Sequence, residues 1–296
     1  MFSKSLVVSM SLAVGMSIAA IADTPHPGTK LTAAEIVDRN VAARGGLQAW
    51  RAVHTMSLSG KLGAGGNQRG TLAVPVPSRK ANRQALPTRP VEEVQLPFLM
   101  ELERPKKTRV ELQFNGQTAI QVFDGANGWK LRPFLGRRVV EPYTADEMKM
   151  SSMQADLDGP LVDYAAKGTQ VELAGMEKVD DRDAYKLKLT LKSGQAMHAW
   201  IDAQTFLEVK MEGQPRRLDG VYHPVEVYFR DYRTVNGLQI AHLLETKVLP
   251  VAKTALGLKD PPVPVEKAII EKVVINPKLE ESLFSKPEVA VASNTK

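Results

Sequence analysis

The fold is decided by residues 184–212, whose first strand reads Tyr185-Lys186-Leu187-Lys188-Leu189-Thr190-Leu191-Lys192. Every second side chain there is apolar, which is typical of a strand with one buried and one solvated face. Ser193-Gly194 then supplies a turn, because glycine tolerates the positive φ that tight hairpins need. The alternation continues in residues 206–212 and, less cleanly, in residues 197–202. We therefore predict three antiparallel strands in a row, and another part of the chain has to cover their apolar face.

The rest of the chain extends this meander into one domain. Its 296 residues are 43% hydrophobic and 24% charged, and these ordinary values exclude wholesale disorder. Turn signals and alternating segments on both sides predict about eleven strands, mostly antiparallel, with a helix at the start and a helical insertion halfway. The fold class is mainly β, of the α+β type. We expect residues 23–287 to form a single domain and residues 288–296 to be a disordered tail.

The first 22 residues have the form of a secretory signal peptide. Lys4 gives a positive start, Leu6 to Ala19 is apolar without any charge, and Ala20-Ile21-Ala22 has the small-residue form of a cleavage site. The alternative is an uncleaved membrane anchor, because the apolar run approaches the length that spans a bilayer. The small residues and the cleavage box favour cleavage before Asp23, which places the mature protein in the periplasm.

The absence of cysteine limits how the exported protein is held together and anchored. No disulfide can form in the chain, and no cysteine follows the signal peptide to carry a lipid. We therefore expect a soluble monomer with a core large enough to stabilise it.

The charge balance bears on the partners of the protein. A formal net charge of +6 is modest for this length, and an exported chain has little use for nucleic acid as a partner. Attraction to anionic lipid head groups is the more natural role for such a charge. The run from Arg79 to Arg109 holds eight basic residues against four glutamates. It is either a solvated rim or a docking face for an anionic membrane surface or an envelope protein.

Two helices are predicted from their N-terminal residues. Thr32-Ala33-Ala34-Glu35 is a capping box, and Thr144 is the predicted N-cap of a second helix that ends at Ala155. The second helix carries methionines 148, 150 and 153. Methionine suits a surface that must fit flexible ligands, although plain core filling is the alternative. We expect this helix to cover the apolar face of the sheet.

Signatures of catalysis and of metal binding are missing from the sequence. The five histidines, at positions 26, 54, 198, 223 and 242, do not share ligand spacing on a helix. His198 and His242 could meet across a sheet, but exposed strand histidines are far commoner than ligands. The sequence also lacks a G-x-S-x-G elbow, a P-loop and a GxGxxG loop. We therefore predict no catalytic residue, no metal site and no cofactor, and we expect a protein that is not an enzyme.

The order of these elements resembles that of the LolA/LolB-like superfamily of exported carriers, which includes the outer-membrane lipoprotein-sorting proteins. The resemblance covers residues 32–287. It rests on the capped helix before Gly45-Gly46-Leu47, the hairpin Phe123-Asp124-Gly125-Ala126-Asn127-Gly128-Trp129, the insertion from Thr144, the strand Gly175 to Leu191 leading into Trp200-Ile201-Asp202, and the closing Leu283-Phe284. The resemblance implies a curved antiparallel half-barrel with a helical lid, enclosing an apolar cavity for acyl chains. Residues 63–97 have no counterpart in that pattern.

This reading predicts a periplasmic carrier or binding protein for a lipid, an acyl chain or a lipoprotein, with a role in outer-membrane biogenesis. The alternatives are an envelope sensor or scaffold that uses the same fold to bind a partner protein, and, more weakly supported, a hydrolase. The residues expected to line the lipid-binding cavity are Trp129, Met148, Met153, Leu187, Leu189, Met197, Ile201, Val209 and Met211.

Overall fold

The computed structural model describes residues 31–65, 93–133, 137–218, 221–252 and 263–288. The predicted signal peptide, most of the basic loop and all but the first residue of the predicted tail lie outside the described residues. Two units divide the chain, Met1–Leu31 and Thr32–Lys296, and every element below belongs to the second.

Three helices lie in the described residues. They are α1 (Ala33–Ala43), α2 (Leu47–Arg51) and α3 (Ala145–Gln154). Both α1 and α3 begin with a complete capping box, Thr32 with Glu35 and Thr144 with Glu147, so the predicted starts of both helices are confirmed. Residues 157–168, which follow α3, form turns.

The chain leaves α1 at Gly45, a position that accepts no residue other than glycine. Gly45 has a φ of 114°, and a Cβ atom there would lie 2.5 Å from the carbonyl oxygen of Gly237. The Gln239 amide donates to the Arg44 carbonyl oxygen at 3.1 Å. The end of α1 is therefore docked on a hairpin of the sheet.

Thirteen strands are described. They are β1 (Thr55–Gly65), β2 (Glu93–Glu103), β3 (Lys107–Phe114), β4 (Gln117–Phe123), β5 (Gly128–Arg132), β6 (Arg137–Pro142), β7 (Gln170–Val179), β8 (Arg182–Thr190), β9 (Ala196–Asp202), β10 (Glu208–Leu218), β11 (Val221–Val235), β12 (Leu238–Val248) and β13 (Glu266–Ile275). A 3-10 turn, Glu281–Phe284, follows.

The strand count is higher than the predicted eleven, and β2 begins earlier than predicted, inside the stretch that the prolines assigned to a loop. Pro97 lies in β2 opposite Lys61 of β1. Pairing with β3 starts only at Phe98, so the missing amide of Pro97 faces no partner strand.

One antiparallel sheet contains all thirteen strands, in the order β6-β5-β4-β3-β2-β1-β13-β12-β11-β10-β9-β8-β7. Neighbours in the sheet are neighbours in sequence, except where the first and last strands pair at the centre. The edge strands β6 and β7 are joined along the chain by α3 and residues 155–169. The predicted open antiparallel sheet with a helical cover is confirmed.

The sheet curls strongly toward one face. Arg216 of β10 and Glu266 of β13 form an ion pair although β11 and β12 lie between them. Three strand spacings amount to about 14 Å in a flat sheet. Cα atoms of β11 and β13 also approach within 8 Å across β12. The strands therefore form a curved half-barrel.

We call the concave face the inner face, and direct pairing across the strands identifies its side chains. Residues that lie directly opposite one another in antiparallel strands point to the same side. Leu187 is opposite Ala199, Ala199 opposite Met211, and Met211 opposite Val227. The buried residues of α1, Ile36 and Val37, are at most 1% exposed.

Candidate functional site

The inner face has a sealed part and a partly open part. On β8 and β9, Leu187, Leu189, Ala199 and Ile201 are 0% exposed. On the central strands, some apolar inner-face residues, such as Leu102 and Val225, are buried, but a second set is only half-buried. We call this second set the apolar trough, and it consists of Leu62, Leu96, Phe98, Met100, Leu112, Val227, Phe229 and Leu244.

Helix α3 bridges the two limbs of the half-barrel. Near its start, Glu147 accepts from the Lys130 ammonium of β5 at 2.6 Å. Near its end, the Met153 sulfur lies 3.8 Å from the Gln214 amide nitrogen of β10. Seven strands separate β5 from β10 in the sheet, but a ten-residue helix is only about 15 Å long. The helix therefore acts as a strap across the concave side.

The strap is lightly held. None of its residues is buried, and Met150 is 39% exposed. The Lys106 ammonium of the β2–β3 turn donates to the Ser152 carbonyl oxygen at 3.3 Å. Polar contacts near its two ends, rather than an extensive apolar interface, fix its position. Such a helix can be displaced without exposing a large core.

The structure separates the nine predicted site residues into three groups. Met148 and Met153 are half-buried on the strap, and Met197 and Met211 are half-buried on the inner face. Leu187, Leu189 and Ile201 are also on the inner face but are fully buried. Trp129 and Val209 belong to the third group, away from the inner face.

Trp129 and Val209 do not share the face of the other predicted residues. Trp129 lies opposite Val122, and its neighbour Lys130 reaches the strap. Trp129 is therefore on the convex face. An irregularity between Glu208 and Lys210 places Val209 in a cluster with Trp200 and Tyr228. Alternation in the sequence does not reveal this bulge.

The apolar trough itself was missed by the sequence analysis. Its strands do alternate, as in Phe98, Met100 and Leu102 of β2. The pattern identifies a buried face, but it does not show which part of that face a helix covers. The only indication is the small amount of helix: three short helices cannot cover one face of a sheet of thirteen strands, so part of that face has to stay open.

A network of ion pairs fastens residues 155–169 at one end of the half-barrel. Arg104 and Lys167 both bind the Asp158 carboxylate, at 2.7 and 2.5 Å. Arg44 bridges from the end of α1, since its Nη1 donates to the Asp158 carbonyl oxygen at 3.0 Å and to the Glu208 carboxylate at 3.1 Å. Asp158 is 1% exposed, so this end is held by buried charges.

Asp156 also pairs with Lys167, at 3.0 Å, and the pKa values of Asp156 and Asp158 are shifted in opposite directions. Burial raises the pKa of Asp156 more than the attraction of Lys167 lowers it. Burial also disfavours the charge of Asp158, but hydrogen bonds from Lys167 and Arg104 outweigh it and lower the pKa of Asp158. Asp158 is thus the charged anchor of the network.

The convex face is sealed by aromatic rings under cations. The Lys210 ammonium lies 3.8 Å from the centre of the Trp200 ring, and the Lys247 ammonium 3.9 Å from that of Tyr228. The Trp200 indole N–H donates to Glu177 at 2.8 Å. Burial raises the pKa of the Tyr228 hydroxyl. Paired charges of this kind fit a solvated outer surface.

A small cleft opens beside the strap. It has a volume of about 260 Å³, and its lining includes Met197, Gln214 and Val225. Gln214 is also the residue that Met153 contacts. The cleft is therefore next to the end of α3 that touches β10.

The described part of the chain shows no cluster of histidine, aspartate or glutamate suited to a metal ion. Within the same residues, the helices are too short or too polar to cross a membrane.

Comparison with solved structures identifies the fold. A LolA superfamily protein from Nitrosomonas europaea superimposes with a TM-score of 0.50 and 12% identity, covering 87% of this chain and 99% of that one. The chain shares the fold of this LolA superfamily protein. The resemblance inferred from the sequence is therefore confirmed at the level of the fold.

Two other solved structures are also similar to this LolA-like chain. A putative outer membrane lipoprotein-sorting protein domain from Vibrio parahaemolyticus has a TM-score of 0.49 and 14% identity, covering 86% of this chain and 96% of that one. A DUF1329 family protein from Desulfovibrio piger has a TM-score of 0.48 and 12% identity, covering 84% and 95%. No protein-family model and no curated protein matches the sequence.

Proposed function

We propose that this LolA-like protein is a non-enzymatic carrier that holds the acyl chain of a lipid or lipoprotein in its apolar trough. The single observation that carries this proposal is the half-buried apolar trough beneath a strap without buried residues. The signal-like N-terminus supports a periplasmic location, where such cargo must cross water between two membranes.

The energetic reason for a carrier is the cost of exposing acyl chains. Each CH₂ group transferred to water costs about 0.8 kcal/mol. A trough lined by Leu62, Phe98 and Leu244 offers apolar contacts in place of water. These side chains are half-buried, so an acyl chain can gain contact with them without first expelling a packed core.

Release requires a cover that opens, and the strap meets this requirement. Its N-terminal end is held by Glu147 and Lys130, and its C-terminal end contacts Gln214 through Met153. Flexible methionines can exchange their contacts with the sheet for contacts with an acyl chain. The sealed part of the inner face, around Leu187, keeps the fold intact while the strap moves.

Native mass spectrometry of the mature protein, purified without detergent, tests the proposal. We expect a lipid-sized mass that is lost on delipidation and is replaced by a fluorescent fatty acid. The proposal would be contradicted by a protein that carries no lipid and takes up no probe although thermal melting shows that it is folded.

The second candidate, a sensor or scaffold for a partner protein, is favoured by a different feature. Strand β7 is an edge of the sheet, and its Leu173 and Met176 are 37% and 55% exposed. An exposed edge can receive a partner strand. Replacing Met176 by Lys should then abolish capture of a partner from envelope extract but leave acyl binding unchanged. Unchanged capture would count against this candidate.

A further inference from the structure

Strand β5 carries two cations on the inner face, and they differ in how they are paired. Lys130 and Arg132 are two residues apart, so they point to the same side of the strand. Lys130 is engaged by Glu147 of the strap. The nearest carboxylate oxygen to Arg132 belongs to Glu141, at 3.6 Å from Nη2, which is too long for a hydrogen bond. Arg132 is the weakly paired member.

The Nε atom of Arg132 is buried and has no hydrogen-bond partner among the described residues. An unpaired donor of a charged group in a dry site is costly. The Arg132 side chain is 28% exposed as a whole, so the outer nitrogens remain accessible to a ligand. The guanidinium can therefore donate hydrogen bonds to a bound anion.

An apolar path leads from Arg132 into the trough. Ile120 lies opposite Leu131, so the next residues, Ala119 and Arg132, are at one level of the sheet. Ala119 is opposite Leu112, and Leu112 is opposite Phe98. A cation thus stands at one end of a row of apolar side chains that crosses β4, β3 and β2.

We propose that Arg132 binds the carboxylate of a long-chain fatty acid whose hydrocarbon chain lies along Ala119, Leu112 and Phe98. This inference rests on the proposed function and specifies the chemistry of the cargo's head. An arginine fork presents its N–H groups in the plane and spacing of two carboxylate oxygens. A free carboxylate also suits the site better than a phosphate, because it has fewer oxygens to satisfy where Nε is buried.

The test compares two probes that differ only in the head, palmitate and hexadecanol, on three proteins. The variants are Arg132→Gln and, as a matched control, Arg138→Gln, which removes the same charge from an exposed side chain of β6. Binding is measured by displacement of a fluorescent fatty acid, and thermal melting checks that each variant is folded. A lysophospholipid with the same chain serves as the phosphate-bearing probe.

We expect Arg132→Gln to weaken palmitate binding by roughly ten- to a hundredfold, the loss of hydrogen bonds to a charged group. Hexadecanol binding should be unchanged, and Arg138→Gln should bind both probes like the wild type. An equal loss for palmitate and hexadecanol, or no loss for either, would overturn the inference. A loss confined to the lysophospholipid would also overturn it, in favour of a phosphate head. A wild type that binds none of the probes would overturn the proposed function itself.

Discussion

Arg216 of β10 and Glu266 of β13 form a two-point ion pair across two intervening strands, with Nη1–Oε1 and Nη2–Oε2 distances of 2.5 and 2.7 Å. The pair joins the limb under the end of the strap to the centre of the sheet. It can form only because the sheet curls. The same curvature brings β5 and β10 within reach of one short helix, so the trough and its strap depend on the closure of the sheet at this limb.

Replacing Arg216 by Gln should speed the release of an acyl chain clearly while lowering the free energy of unfolding only slightly. The two side chains are 40% and 38% exposed, and pairs this accessible contribute about 0.2–1 kcal/mol, less at high salt. Stopped-flow release of a fluorescent fatty acid and urea unfolding measure the two effects. The control is Arg233→Gln, which removes an exposed pair with Asp231 inside one strand. Equal release rates for both variants would contradict a role for Arg216 in holding the limbs together.

Replacing Asp158 by Asn should lower the free energy of unfolding by up to about 3–5 kcal/mol, because Arg104 would lose its buried counter-charge and Lys167 would keep only Asp156. Asp163→Asn is the matched control from the same segment. Asp163 pairs with Arg51, which is 49% exposed, so its loss should cost at most about 1 kcal/mol. Urea unfolding of both variants decides the matter. Similar losses would show that the network does not fasten residues 155–169.

The same two aspartates predict how stability depends on pH. The pKa of Asp158 is lowered from 3.8, so its contribution is present above pH 3.8 and is lost as the pH falls through the lower, folded value. The pKa of Asp156 is raised from 3.8, so its protonated form stabilises at acid pH, and that gain is lost as the pH rises through the higher value. The advantage of wild type over Asp158→Asn should therefore shrink below pH 3.8. Asp156→Asn should gain relative to wild type above it. Urea unfolding in a pH series gives both curves, and a constant difference for either variant would contradict its assignment.

Two truncations, one in the sealed part of the inner face and one on the strap, should separate effects on core packing from effects on ligand binding. Leu187→Ala removes a side chain that is 0% exposed and should cost about 2–5 kcal/mol. Met153→Ala removes a half-buried side chain of the strap, so its stability cost should be smaller while probe affinity changes clearly. Thermal melting and fatty-acid binding on the same samples compare the two. If Leu187→Ala abolishes binding in a folded protein and Met153→Ala has no effect, the sealed part would be the ligand site.

Short-range sequence patterns allowed the helices and strands to be predicted, but not which side of the sheet each residue faces. The alternation of residues 185–192 and the caps at Thr32 and Thr144 are short-range signals, and the structure contains the strand and both helices. The side on which Trp129 and Val209 lie depends on register and on one bulge, which arise from pairing between distant strands. The ion-pair network around Asp158 is also invisible in sequence, since Arg104 and Lys167 approach it only after folding.

The most direct test of the central claim locks the strap. The chain contains no cysteine, so Met153→Cys combined with Gln214→Cys introduces a single pair of thiols. Because Met153 and Gln214 touch only through the ends of long side chains, the two thiols are joined by a bismaleimide with a reducible spacer rather than by a direct disulfide. These positions are in contact across the end of α3 and β10. Fatty-acid uptake is measured on the same double variant before and after reduction. If the strap must move to admit an acyl chain into the trough, the cross-linked protein should take up no probe and the reduced protein should recover uptake. Equal uptake in the two states would contradict the account.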